Sequence, residues 1–177
     1  MKTFEQFMTE MPRINHDYSH EFMKDTNIHD LPGQHHMISK TPTHKYWMTG
    51  NENIRVTDHH GNIQYGIYGG GEHKKYFNVD SMESSPHRTI KYHEVISHLV
   101  HNGHFPQWTS DNSMSKGSIS TYRKLVNDKR FQVHHHSYTD DQVKKVTPKN
   151  FDSHIDSHND DPNKTTDSGW FVVRKNK

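Results

Sequence analysis

The sequence predicts a mixed α/β domain of the α+β kind, in which a sheet packs against two main helices and a polar N-terminal arm precedes the core. Three observations carry that reading. Between residues 45 and 82, apolar side chains recur at alternate positions, with Gly and Asn punctuating the runs. Between residues 89 and 127 the spacing changes to that of a helix in two separate stretches. Strands and helices then alternate along the chain, an order that packs as mixed layers.

Residues 1–11 place Phe4, Phe7, Met8 and Met11 on one helical face and form a short leader. Pro12 ends that pattern, and residues 12–43 read as a polar linker or arm with a break at Leu31-Pro32-Gly33. The domain is expected to span 44–177. Tyr46-Trp47-Met48 is a short apolar run suited to a strand. Residues 53–59 alternate through Ile54 and Val56, turn at His60-Gly61-Asn62, and return through Ile63, Tyr65 and Ile67 as a β-hairpin. Gly69-Gly70-Gly71 reads as a further turn, before a strand over 75–82 with Tyr76, Phe77 and Val79. Pro86 precedes a helix over 89–101, where Ile90, Val95, Ile96, Leu99 and Val100 repeat at helical spacing and Asn102-Gly103 supplies a stop. A strand over 105–111 contains Trp108. A second helix over 118–127 gathers Ile119, Tyr122, Leu125 and Val126 on one face. A strand over 131–135, a polar loop over 152–168 and a last strand over 170–174 complete the chain.

Composition narrows the chemistry. Of 177 residues only 28% are hydrophobic, against a usual ~45–50%. There is no cysteine and no alanine, and leucine occurs only at Leu31, Leu99 and Leu125. Aromatics nevertheless make up 11% and net charge is only +1, a balance unlike that of disordered chains. The core is therefore expected to be aromatic and β-branched. Absent cysteine excludes disulfides, thiolate metal sites and a cysteine nucleophile. No run approaches the ~18 apolar residues of a membrane-spanning helix, so no membrane partner is expected. The 19 histidines make charge climb steeply as pH falls through their ordinary range near ~6.5. No strongly basic stripe appears, so nucleic acid is not expected as a specific partner.

The histidines fail the spacing tests for a dedicated metal site. His93 and His98 are five apart, not the four that would project both from one helical face. His16/His20 and His154/His158 have the right interval, but in stretches not expected to be helical. His134-His135-His136 ends a strand, where alternation sends neighbours to opposite faces. Asp140-Asp141 and Asp160-Asp161 read as turn formers in polar loops, and neither a nucleophile elbow nor a phosphate-binding P-loop is present.

Met1, Lys2, Thr3, Phe4, Phe7, Met8 and Glu10 resemble the capsid-targeting leader of internal head proteins of T-even-like tailed phages. The resemblance implies packaging into the assembling head, with cleavage after Glu10. Met8 stands where that family usually has Ile or Leu. The same spacing also suits an ordinary amphipathic N-terminal helix.

Residues 45–135 resemble the GNAT fold of N-acetyltransferases, in particular divergent acyltransferase-like proteins of phages. The resemblance lies in the order of strands and helices, in Thr109-Ser110-Asp111 followed by Ser113 and Gly117, and in Tyr122-Arg123-Lys124-Leu125, whose Tyr-x-Lys pattern matches the family helix. It implies a central, mostly antiparallel sheet and acetyl-CoA or another acyl-CoA as cofactor. It also implies Tyr122 as the acid that protonates the departing thiolate. The turn at Arg88 and Lys91 would hold the pyrophosphate, and backbone near Val79 the pantetheine. Ser115 stands where the family often has asparagine. In the stretch from His87 to His93, Thr89, Lys91 and His93 replace the small residues that let phosphates approach a helix start.

The expectation is thus a phage protein with this fold, a CoA-dependent N-acyltransferase carried in the head and delivered to the host cytoplasm. The alternative is a non-enzymatic virion or host-takeover protein that uses the fold to bind a host or defence protein. A histidine-rich metal-binding or pH-responsive structural protein is a third reading. Ser110, Asp111 and the Tyr-x-Lys helix favour the first; the altered turn favours the second.

Overall fold

The computed structural model describes residues 27–31, 33–49, 53–111, 116–137, 142–155 and 169–176. The leader, half of the arm, Ser115, the two Asp pairs and His16, His20 and His158 lie outside them. Nine strands form one sheet: β1 (His35–Lys40), β2 (His44–Thr49), β3 (Ile54–Asp58), β4 (Ile63–Glu72), β5 (Tyr76–Ser84), β6 (Gln107–Thr109), β7 (Phe131–His136), β8 (Val143–Val146) and β9 (Trp170–Lys175). Helix α1 (Tyr92–His101) connects β5 to β6, and α2 (Lys116–Asn127) connects β6 to β7. The strand order is β1-β2-β3-β4-β5-β6-β9-β7-β8. All neighbours run antiparallel except β5 and β6, which are parallel. The α+β class and the mostly antiparallel sheet thus agree with expectation.

Alternation fixes the faces. In β2 the buried residues are His44, Tyr46 and Met48. Ile54 and Val56 of β3, Tyr65 and Ile67 of β4, Phe77 and Val79 of β5, Trp108 of β6 and Phe171 and Val173 of β9 join the same core. The helices close it with Val95, Ile96, Leu99 and Val100 from α1 and Tyr122 and Leu125 from α2. Helix α1 is short because both ends are fixed by hydrogen bonds. Lys91 is extended and its N–H donates to the Glu94 carboxylate at 2.7 Å. At the other end Gly103 (φ +74°) takes the left-handed conformation that favours glycine.

Four differences from the sequence reading have physical causes. Residues 27–31 and 33–40 belong to the fold: Ile28 is fully buried in a 3-10 turn and β1 pairs with β2. Polar residues conceal this strand, which is an edge strand with exposed side chains. Gly69, Gly70 and Gly71 lie within β4, and the turn falls at residues 73–75. Helix α1 starts at Tyr92, not at 89, because Thr89 N–H donates to Gln64 Oε1 and Tyr65 Oη donates to the Ile90 carbonyl. Finally β8, Val-Lys-Lys-Val, is a second edge strand whose first three residues are exposed. Lysines on such an edge discourage pairing with other chains.

Histidines are structural in one region. His98 on α1 stacks on Tyr46 at 4.4 Å between centroids, and its Nε2 meets Ser39 Oγ at 2.8 Å. His104 lies 5.9 Å beyond it, and His104 Nδ1 meets His73 Nε2 at 3.4 Å. The rings of His73 and His104 are near parallel, with 6° between planes. This chain of rings ties β1 and β2 to the helix end and to the β4–β5 turn.

Candidate functional site

The parallel ladder between β5 and β6 is short. Tyr76 faces Gln107, Phe77 faces Trp108 and Asn78 faces Thr109, and there the pairing ends. Beyond that point β5 runs on to Ser84, paired only with β4 among the described residues. The chain after β6 turns to the other side: Ser110 N–H donates to the Phe171 carbonyl, and Phe171 N–H donates to Ser110 Oγ, both at 2.8 Å. The two neighbouring strands therefore part at Val79. A bulge accompanies the parting, since Tyr68 faces Ser81 and Gly69 faces Val79, leaving Asp80 without an opposite residue.

Three polar aromatic side chains gather at this place. Trp108 is fully buried, and its ring lies 6.5 Å from that of Tyr92, edge to face. Tyr122, from α2, is 2% exposed and stacks on Phe171 at 5.4 Å. The Trp108 N–H lies beside both tyrosine hydroxyls, yet neither Trp108 Nε1 nor Tyr92 Oη completes a hydrogen bond. Burial pushes the Tyr122 hydroxyl well above the ordinary tyrosine range; the Asp111 carboxylate adds to the shift, while Trp108 and Ser110 offset part of it. Burial likewise holds Tyr92 protonated, with Tyr122 adding to the effect. At neutral pH both hydroxyls can donate a proton or a hydrogen bond.

The turn before α1 is organised differently from an open phosphate cradle. His87 N–H donates to Ser85 Oγ at 3.2 Å, Arg88 N–H to the Ser85 carbonyl at 3.3 Å, and Thr89 N–H to Gln64 Oε1 at 2.8 Å. Lys91 N–H is taken by Glu94, which also brings a negative charge to the helix start. Arg88 donates from Nη1 to the Ser85 carbonyl and lies over the Tyr65 ring at 5.9 Å. Tyr65 in turn packs on Tyr92 at 5.7 Å. Anion binding here would have to come from the exposed side chains of Arg88 and Lys91, because four backbone donors of the turn are already engaged.

Val79 and Tyr122 are both buried in the hydrophobic core. Arg88 reaches the same cluster through Tyr65. Lys91 immediately precedes Tyr92, and Ser115 lies outside the described residues. The sequence reading did not identify Trp108 and Tyr92 as donors. Their types permit that role, but only the packing shows that their polar atoms are buried without partners. It also missed Glu94 as a cap, because a capping box is normally recognised from Ser or Thr at the N-cap and Lys91 occupies that position.

A groove of about 690 Å³ lies elsewhere, over the outer faces of α1 and α2, lined by His93, Ser97, His101, Lys124, Asp128 and Arg130 among others. Arg130 and Asp128 pair across 2.6 Å, and Arg123 pairs with Asp152. The lining of the groove includes neither Val79 nor Tyr122. Among the described residues no group of three or more potential ligands could hold a metal, and no helix is long and apolar enough to cross a membrane. Comparison with protein-family models, curated proteins and solved structures finds no match to this chain.

Proposed function

We propose that this is a phage-encoded protein with a GNAT-like fold that transfers an acyl group from acyl-CoA to an amine. The observation that carries the reading is the end of the β5–β6 pairing after Asn78 and Thr109, next to Val79, with buried Tyr122 close to Ser110 and Asp111 at the end of β6. In GNAT enzymes such a gap admits the pantetheine arm. Acyl-CoA would supply the acyl group as a thioester. The amine nitrogen would form the new bond to the carbonyl carbon as the carbon–sulfur bond breaks. The amine gives up a proton, and Tyr122 Oη would give one to the departing sulfur. Arg88 and Lys91 would grip the pyrophosphate through their side chains, since four backbone donors of the turn are taken. Thermal unfolding of the full chain with millimolar acetyl-CoA tests this: Tm is expected to rise, and Tyr122→Phe to slow turnover at least tenfold, within the range that a general acid contributes. No thermal shift would overturn the enzymatic reading.

The engaged turn favours a second reading, in which the fold serves as a non-enzymatic surface for a host or defence protein. Glu94 at the helix start and Gln64 against Thr89 supply internally what an anion would otherwise provide. An unchanged Tm with acetyl-CoA is the outcome it expects.

The resemblance of Met1 to Glu10 supports packaging in the phage head and delivery to the host cytoplasm. Mass spectrometry of purified virions is expected to find a species beginning at Met11. Only intact Met1, or no copy in the particle, would count against packaging.

A further inference from the structure

We propose that β1 is a strap held to the rest of the fold by a relay of histidine rings, His98, His104 and His73, and that mild acid releases it while the inner strands stay paired. The device stands apart from the acyl-transfer reading. As an edge strand β1 pairs only with β2, and its side chains are half-buried or exposed, so little apolar burial holds it. Its ties to the helix side are Ile38, packed against the core, and Ser39, whose Oγ meets His98 Nε2 at 2.8 Å. On its other nitrogen His98 faces Asn102 Nδ2 at 3.1 Å, so Nδ1 accepts there and Nε2 donates to Ser39. That pair of contacts exists only while the ring is neutral.

The next rings continue the relay. His104 lies 5.9 Å from His98, and its Nδ1 meets His73 Nε2 at 3.4 Å. Two imidazole nitrogens in contact need one donor and one acceptor, a condition that fails when both rings are protonated. Their surroundings deepen the conflict. His73 is faced by His36 from β1 and by Lys74, and His104 by His73 and Lys74. Phe105 meets the His73 ring edge to face at 5.6 Å and Tyr46 stacks on His98 at 4.4 Å, both uncharged. Glu72, beside His73 in sequence, is turned to Lys75 at 2.6 Å. The charges facing the three imidazoles are thus cationic. Burial and these neighbours hold all three below the ordinary histidine range, so the strap is secure above ~6.5 and loosens as pH falls through the folded values. Once β1 lifts, water hydrates the rings and the outer edge of β2 is open.

Amide hydrogen exchange on the full chain, corrected for the intrinsic effect of pH, tests the release. At pH 7.5 the β1 amides that bond to β2 are expected to be protected at least about tenfold over the unfolded chain. At pH 5.5 they are expected to fall to within about threefold of it, while amides of β3 and β4 stay protected at least about a hundredfold. In the triple variant His73→Gln/His98→Gln/His104→Asn, amides reach the positions of the bonded ring nitrogens without titrating. Its β1 protection is expected to change by no more than about threefold between the two pH values. Wild-type β1 that keeps its protection at pH 5.5, or loses it only together with β3 and β4, overturns the strap. Acid release that persists in the triple variant also overturns it, by assigning the effect to other groups. Imidazole NMR titration of the wild-type chain supplies a check that needs no variant. His73 and His104 are expected to titrate in the pH interval where β1 is released, and a separation of more than about one pH unit overturns the proposal.

Discussion

Taking the protein from pH 7.5 to pH 5.5 is expected to lower its Tm by about 5–10 °C, an effect of a few kcal/mol in a chain of this size. Seven described histidines have their pKa depressed: His44, His73, His93, His98, His104, His134 and His154. Burial is the leading cause at each, and neighbouring cations or imidazoles add to it at several. His104 is held down further by His73 and Lys74, and His73 by Lys74 and His36. A depressed histidine binds its proton less readily in the folded chain than in the unfolded one. Between the folded pKa and ~6.5 the unfolded state therefore carries more protons, and stability rises with pH. This contribution is complete above ~6.5 and is lost as pH falls through the folded values. The carboxylates of Asp58, Asp128 and Asp152 are also depressed, and they extend the loss to still lower pH. Differential scanning calorimetry across pH 5 to 8 checks the sign. A Tm that rose on acidification would show that the imidazoles gain, not lose, on folding. His44 is the sharpest single probe, being 6% exposed with Nδ1 against Thr43 Oγ1 at 2.9 Å and Nε2 against Thr89 Oγ1 at 3.1 Å.

Gly69→Ala is expected to cost about 3 kcal/mol, at the upper end for overpacking, while Gly70→Ala stays within about 0.5 kcal/mol of wild type. A Cβ on Gly69 would run into the Asn78 carbonyl oxygen and press on the Phe77 ring, whereas one on Gly70 meets nothing within 4 Å. Backbone, unlike a flexible side chain, cannot step aside here without pulling β4 from β5. The strain would be felt at the bulge opposite Val79, the point where β5 leaves β6. Urea titration of both variants provides the measurement. Equal stabilities would mean that the close approach of β4 and β5 is not maintained in solution.

That pair of glycines also shows what the sequence could and could not say. Three successive glycines read as a turn because glycine permits turn backbone, yet here Gly69 and Gly71 allow strands to come close. Local composition does not distinguish those uses, since the second depends on a partner strand. The period-two runs from Ile54 to Ile67 and the helical faces of α1 and α2 were legible, because each buries one face against the same core. Strands β1 and β8 were not, because edge strands bury little and their polar residues erase the alternation. At the candidate site, Tyr122 and Val79 were named from a family resemblance, whereas Tyr92 and Trp108 were hidden in plain apolar roles. A buried N–H without a partner is a property of packing, and no spacing of residues announces it.

The position of β9 has a consequence for how the sheet assembles. Residues 170–175 lie between β6 and β7, so Arg174 touches Gln107 across 67 positions of chain. Until β9 arrives, β1–β6 and the β7–β8 hairpin share no ladder, and each exposes an unpaired inner edge. Closing loops of that length before any pairing rewards them makes a slow late step. Once inserted, β9 acts as a clasp: it holds Ser110 through Phe171, and with it the corner where β5 and β6 diverge. The geometry of the proposed acyl site consequently depends on the strand that joins the two halves of the sheet.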